Sequence, residues 1–179
     1  MNSLGVIVNP YSGKNLLSST RLTDLQEQLG RNGHFCVPQS VEELPEIIQQ
    51  LRANGMTTLA IDGGDGTVHQ VINALHKVYG SEPFPQIALL KGGTMNNIAR
   101  NVGVPLLKRS HQLLAEVMTK RERNIAVHHP LIVDTRAGFI FGMGAVAHFM
   151  DMYELPPGKP TVTKAIRMVL KLLGSAAIN

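Results

Sequence analysis

The sequence contains no tryptophan, and aromatic residues make up only 4% of its 179 positions. That argues against binding nucleic acid by stacking bases on rings. Lysines and arginines are scattered along the chain without interleaved aromatics, so a basic nucleic-acid binder is not expected. A single cysteine, Cys36, excludes an internal disulfide and makes a reducing cytoplasm the expected compartment. No apolar run approaches the roughly 20 residues that a membrane-spanning helix requires. Residues 137–150 come nearest, but they are rich in glycine and interrupted by His148. Residues 1–8 are too short for a signal peptide and run at once into Asn9 and Pro10. Repeats and low-complexity tracts are also missing. A net charge of +4 mildly favours anionic partners without identifying one.

What the chain does have is core-forming material, 44% hydrophobic, enough for one domain or for a domain and part of another. Its most informative stretch is Asp62-Gly63-Gly64-Asp65-Gly66-Thr67. A short apolar run over residues 57–61 leads into it and reads as a buried strand. Val68, Val71, Ile72 and Leu75 follow at helical spacing. The glycines between them allow a sharp turn and close approach to a ligand. Thr67 is expected to cap the new helix, whose first N–H groups then face the turn and suit phosphate. Asp65 would repel such a ligand unless it carries Mg²⁺, accepts a proton or bonds back to protein. The competing reading is an ordinary glycine turn of an α/β domain, with Asp65 a turn residue.

Taken in order, residues 4–8 form a first strand that opens into Asn9-Pro10-Tyr11-Ser12-Gly13-Lys14. This is not a P-loop, which would want glycine at Val8 and serine or threonine at Asn15. Leu16, Leu17, Leu22, Leu25 and Leu29 are expected on the buried stripe of one helix. Residues 34–37 read as a second strand. Ser40 and Glu43 have capping-box spacing ahead of a helix carrying Leu44, Ile47, Ile48 and Leu51, which Asn54-Gly55 stops. A fourth strand over residues 86–90 opens into Lys91-Gly92-Gly93-Thr94-Met95-Asn96-Asn97-Ile98-Ala99-Arg100. Strands alternating with helices at this spacing predict βαβ units and a parallel sheet. Its three strand-to-helix loops would converge on one crevice.

Asn9-Pro10-x-Ser12-Gly13, Gly63-Gly64-Asp65-Gly66-Thr67 and Gly93-Thr94-x-Asn96 resemble, in this order and spacing, the diacylglycerol kinase catalytic domain. Sphingosine kinases and bacterial soluble lipid kinases share that superfamily, and the resemblance covers roughly residues 3–125. The family's third loop usually reads Pro-Leu-Gly-Thr-Gly-Asn-Asp-Phe-Ala-Arg; here Asn97 stands where it has aspartate, which loses a charge. His69 and Gln70 replace the more usual Asn-Glu. The resemblance implies an α/β, parallel-sheet N-terminal domain over residues 1–124 and the start of an incomplete β-sandwich-like domain over residues 125–179. It implies Mg²⁺-assisted transfer of the γ-phosphate of ATP to a lipid hydroxyl at a membrane surface. Asn9, Ser12, Gly13, Gly63, Gly64, Asp65, Gly66, Thr67, Gly93, Thr94 and Asn96 would hold the nucleotide, with Asp65 the catalytic candidate within this chain.

In the second domain, residues 130–134 and 138–143 read as a hairpin joined by Thr135, Arg136 and Ala137. Gly142-Met143-Gly144-Ala145 resembles the family's bend into a helix, and residues 161–173 read as a further helix after a Pro156-Pro157-Gly158 loop. That helix carries Lys164, Arg167 and Lys171 opposite Ile166, Val169, Leu170 and Leu173, which suits either packing or an anionic membrane. The relatives continue considerably further and carry their general base and most Mg²⁺-binding carboxylates there; Asp134, Asp151 and Glu154 do not replace them. The fragment is therefore expected to bind ATP more readily than it turns it over. An unfinished second domain would also favour a homo-oligomer. His128-His129 lacks ligand spacing and reads as structural. Two other readings compete: a non-catalytic nucleotide-binding module, and an NAD kinase-like enzyme, which shares the Gly-Gly-Asp-Gly-Thr turn.

Overall fold

The computed structural model describes residues 3–18, 20–119 and 125–139. All of them lie in one compact unit, Met1–Phe139. The expectations placed on residues 120–124 and 140–179 fall outside the described residues.

At the centre are four parallel strands in the order β2-β1-β3-β4: β1 Ser3–Val8, β2 Gly33–Cys36, β3 Met56–Asp62 and β4 Gln86–Leu89. Between them run α1 Gly13–Leu16, α2 Arg21–Leu29, α3 Leu44–Ala53 and α4 Asp65–Tyr79. The helices α5 Asn97–Asn101 and α6 Ser110–Thr119 follow β4, and a two-stranded antiparallel ribbon follows these, β5 Leu131–Val133 and β6 Arg136–Gly138.

The period-2 alternation of the strands sorts side chains onto two faces. Ile7, Leu59 and Ile61 point to one face, where they pack with Ile48 and Leu51 of α3 and Val71, Ile72 and Leu75 of α4. Leu4, Val6, Val8 and Ala60 point to the other, against Leu25 and Leu29 of α2 and Leu113 and Leu114 of α6. Helices on both faces account for the near-continuous apolar sequence of β1 and β3, both central strands. Truncating a fully buried member such as Leu59 or Leu75 to alanine is expected to cost about 2–5 kcal/mol. The stops of α3 and α4 fall on left-handed glycines, Gly55 at φ 72° after Asn54 and Gly80 at φ 59°.

Four local expectations are corrected. The helix expected to carry Leu16 to Leu29 is two helices, and Leu16 and Leu17 are 58% and 87% exposed rather than buried. Hydroxyl residues at the break, Ser18 and Thr20, bond each other and weaken the helix there. The Ser40 side chain makes no cap; Glu43 instead accepts the N–H of Gln39 at 3.0 Å, and a 3₁₀ turn, Val41–Glu43, precedes α3. Thr67 lies inside the first turn of α4, whose N-cap is Gly64. In the hairpin, the two-residue turn is Asp134-Thr135, so Arg136 and Ala137 belong to β6. Asp134 takes φ 54°, a left-handed conformation that aspartate tolerates and a tight turn requires. Among the described residues no helix is long and apolar enough to cross a membrane.

Candidate functional site

Because the four strands are parallel, the loops leaving β1, β3 and β4 all lie at one end of the sheet. They are bonded to one another. The Asn9 N–H donates to the Asp62 carbonyl at 2.9 Å, and its side-chain Nδ2 donates to Thr67 Oγ1 at 2.8 Å. Asn9 Oδ1 accepts the N–H of Tyr11 at 2.9 Å, which turns the chain toward α1. Buried Ser12 donates its N–H to the Asn9 carbonyl at 3.2 Å and accepts from Leu16 N–H at 2.9 Å. The Lys14 N–H reaches the Gly92 carbonyl at 3.0 Å, and its Nζ reaches the Lys91 carbonyl at 3.2 Å.

The glycines of the second and third loops meet backbone to backbone. A methyl group at Gly93 would overlap the Gly64 backbone, and one at Gly92 would come within 2.9 Å of Gly63 N. Gly13 sits against the Thr94 hydroxyl, and Gly63 against the Thr67 side chain. These glycines are thus required chiefly by contact between loops. Gly66 is different: nothing lies within 4 Å of where its side chain would begin. In the third loop, Asn96 takes φ 52°, accepts Gly93 N–H at 3.1 Å and returns Nδ2 to the Gly93 carbonyl at 2.7 Å.

Asp65 bonds back to protein. Its Oδ2 accepts the Asn97 N–H at 3.0 Å and its Oδ1 the Ile98 N–H at 2.9 Å, so the carboxylate caps α5 across the crevice. The N-terminus of α4 itself stays open. Among the described residues, Val68 is the first of the turn whose N–H finds a carbonyl, that of Gly64 at 3.0 Å; the N–H groups before it are those that a helix start leaves without a partner in its own backbone. Beside them, Asn9, Tyr11, Ser40, Gly66, Thr67 and Gln70 border a cleft of about 200 Å³. A cavity of about 520 Å³ adjoins it, sharing Val41 and Gln70.

Asn9, Ser12, Gly13, Gly63, Gly64, Asp65, Gly66, Thr67, Gly93, Thr94 and Asn96 are therefore brought into one cluster. Sequence reasoning passed over the support beneath them. Asp62, fully buried, is paired with Arg21 at 3.0 Å and accepts the Ser110 hydroxyl at 2.8 Å. An aspartate ending an apolar strand was the available signal. Asn15, also buried, donates Nδ2 to the Asn9 carbonyl at 2.7 Å, while its Oδ1 has no partner among the described residues. Lys91 takes φ 60° and its Nζ is held by the carbonyls of Pro105 and Leu106. Burial, then neighbouring Lys14, lowers its pKa. Asn73 exchanges paired hydrogen bonds with Ala137, donating to its carbonyl and accepting its N–H, both at 2.9 Å. Among the described residues no three of His, Cys, Asp and Glu gather to hold a metal ion.

A family model, the diacylglycerol kinase catalytic domain, matches residues 3–129. Over 100 residues the chain is 31% identical to proteins named "Probable lipid kinase YegS" in Shigella flexneri and in Escherichia coli (strain K12 / DH10B). Each alignment covers 56% of this chain and 33% of the relative, so the chain spans about a third of the length of the curated relatives it matches. A crystal structure of a diacylglycerol kinase from Bacillus anthracis str. Sterne superposes with a TM-score of 0.51 at 26% identity, covering 65% of this chain and 42% of that one.

Proposed function

The chain belongs to the diacylglycerol kinase catalytic domain family, and from that membership we propose that it is the nucleotide-binding part of an ATP-dependent lipid kinase. The observation that carries this is the open N-terminus of α4 beside a cleft, at the point where three loops meet. The free N–H groups of the Gly64–Thr67 turn take the terminal phosphates, supported by the positive end of a 15-residue helix. Asn9 positions Thr67 and orders the first loop. Ser12 and Gly13 hold that loop against Thr94, and Gly93 and Asn96 fix the third. The cleft bordered by Tyr11, Ser40 and Gln70, with the cavity beyond it, takes the nucleoside. In phosphoryl transfer such a frame works by positioning and by neutralising charge.

ATP and the lipid hydroxyl are the proposed substrates, in a cytoplasmic protein that works at a membrane surface. Mg²⁺ is proposed to arrive on the triphosphate. The described residues do not fit a protein cage for it: no three of His, Cys, Asp and Glu gather among them, Asp65 is tied to α5 through both oxygens, and Asp62 is paired with Arg21 and Ser110. Asp65 is accordingly assigned to positioning, as the tie between the second and third loops. The same observation favours a second reading, a nucleotide-binding module without turnover of its own. Calorimetric titration with ATP, with and without Mg²⁺, separates these from the case of no nucleotide site. Binding by the chain, lost in Gly64→Val, is the expected result; no binding by the intact chain contradicts it.

A further inference from the structure

Asn15 stands where the three loops meet. It is 5% exposed, although the helix that carries it, α1, is only four residues long. Its Nδ2 donates to the Asn9 carbonyl of the first loop at 2.7 Å and reaches the Asp62 carbonyl, at the entry to the second, at 3.5 Å. From the third loop Gly92 closes over the same atom: a methyl group there would stand 3.1 Å from Nδ2. One amide nitrogen thus meets every loop of the cluster.

Stability does not account for this choice of residue. Both carbonyls already have a main-chain donor, Ser12 N–H at 3.2 Å for Asn9 and Asn9 N–H at 2.9 Å for Asp62. The other end of the amide is poorly placed, because Oδ1 is buried without a partner among the described residues. An unpaired buried acceptor carries a cost that alanine would avoid. Costs of this kind are found where a position is kept for function.

What the amide fixes is orientation. A trans peptide is planar, so its C=O and the N–H that follows point in opposite directions. Holding the Asp62 carbonyl toward Asn9 and Asn15 therefore turns the Gly63 N–H away from them. Glycine at position 63 offers little resistance of its own to rotation of that peptide. We propose that Asn15 is a positioning residue of the nucleotide loops. Its amide holds the Asn9 carbonyl and the Asp62–Gly63 peptide, which sets the approach to α4 for phosphate. The role in binding rests on the nucleotide-site reading; the effect on the loops does not.

The test uses the full chain with Asn15→Ala and with Asn15→Asp, which keeps the shape of the side chain. ATP titration by calorimetry, urea unfolding and the backbone amide resonances of the loops are measured for each. Asn15→Ala is expected to unfold at or near the midpoint of the unaltered chain, since the unpaired Oδ1 leaves with the amide. Its ATP affinity falls roughly five- to tenfold, the weight of one hydrogen bond. The amide resonances of Gly63, Gly64 and Gly92 shift, while those of β2 stay in place. In its charged form Asn15→Asp sets a carboxylate against two carbonyls and binds ATP more weakly still. Burial and those carbonyls favour the neutral acid, so lowering the pH restores an O–H donor. Affinity relative to the unaltered chain at the same pH then recovers. Unchanged affinity and unmoved loop amides in Asn15→Ala overturn the proposal. A midpoint that falls with the affinity, or an Asn15→Asp deficit indifferent to pH, overturns it as well. If the unaltered chain binds no ATP, the nucleotide reading fails and the loop amides decide: shifted, they uphold the positioning role, and unmoved, they refute it.

Discussion

Asp65 accepts the backbone N–H of Ile98 at 2.9 Å, across a gap of 33 residues in sequence. With the matching bond to Asn97, this makes the first turn of α4 the cap of α5. The second loop is thereby tied to the third. Helix caps of this kind contribute roughly 0.5–2 kcal/mol. Asp65→Ala is expected to destabilise the protein by about 1–2 kcal/mol in urea unfolding, and to weaken ATP binding by letting α5 shift. Unchanged stability with binding lost would return Asp65 to direct contact with ligand.

Gly93→Ala sets a methyl group against the Gly64 backbone, which cannot yield as a flexible side chain does. Overpacking of that sort typically costs about 1–3 kcal/mol. Both the unfolding midpoint and ATP affinity are expected to fall together, since the loops are pushed apart. Wild-type values for both would show that the contact is soft.

Asp62 is expected to matter for stability rather than for chemistry. Asp62→Ala removes the carboxylate that pairs with Arg21, leaving the guanidinium with Ser110 Oγ while the Ser110 hydroxyl keeps the Leu90 carbonyl, and breaking a buried pair costs roughly 3–5 kcal/mol. Arg21 keeps some access to water, so the lower end of that range is expected in urea titration. A loss below about 1 kcal/mol would mean the pair is not held as drawn.

Asn73→Ala removes the amide that fastens the β5–β6 ribbon to α4 through Ala137. Ala137 is 1% exposed, so its peptide groups are left buried and unpaired, at a cost of about 2 kcal/mol. Hydrogen exchange is the direct readout: faster exchange across residues 131–138, with the amides of β1 and β3 still protected. Uniform acceleration throughout would instead mean global destabilisation.

The parallel sheet was legible because its strands are apolar runs ended by glycine loops, and such punctuation survives without knowledge of tertiary contacts. The clustering of Asn9, Gly64 and Gly93 followed from topology alone. What escaped was decided by contacts distant in sequence. Nothing near Asp62 announces that Arg21 will neutralise it and Ser110 will bond to it. The leucine spacing at Leu16 and Leu17 matched a buried stripe, but the hydroxyl residues Ser18 and Thr20 mark a break in the helix, and both leucines stand in solvent. The glycines looked like allowances for a ligand, and most of them serve the packing of loop on loop.

Gly66 separates those two uses of glycine. A methyl group there meets nothing in the protein, and alanine in a helix is favoured over glycine by up to about 1 kcal/mol. Calorimetric titration of ATP into the intact chain and into Gly66→Ala therefore tests the account at its centre. The prediction is an unfolding midpoint equal to or above that of the unaltered chain, with ATP affinity sharply reduced, because phosphate must approach the α4 N-terminus where the methyl now stands. Undiminished ATP binding by Gly66→Ala would contradict it, and would place the nucleotide elsewhere than on that helix.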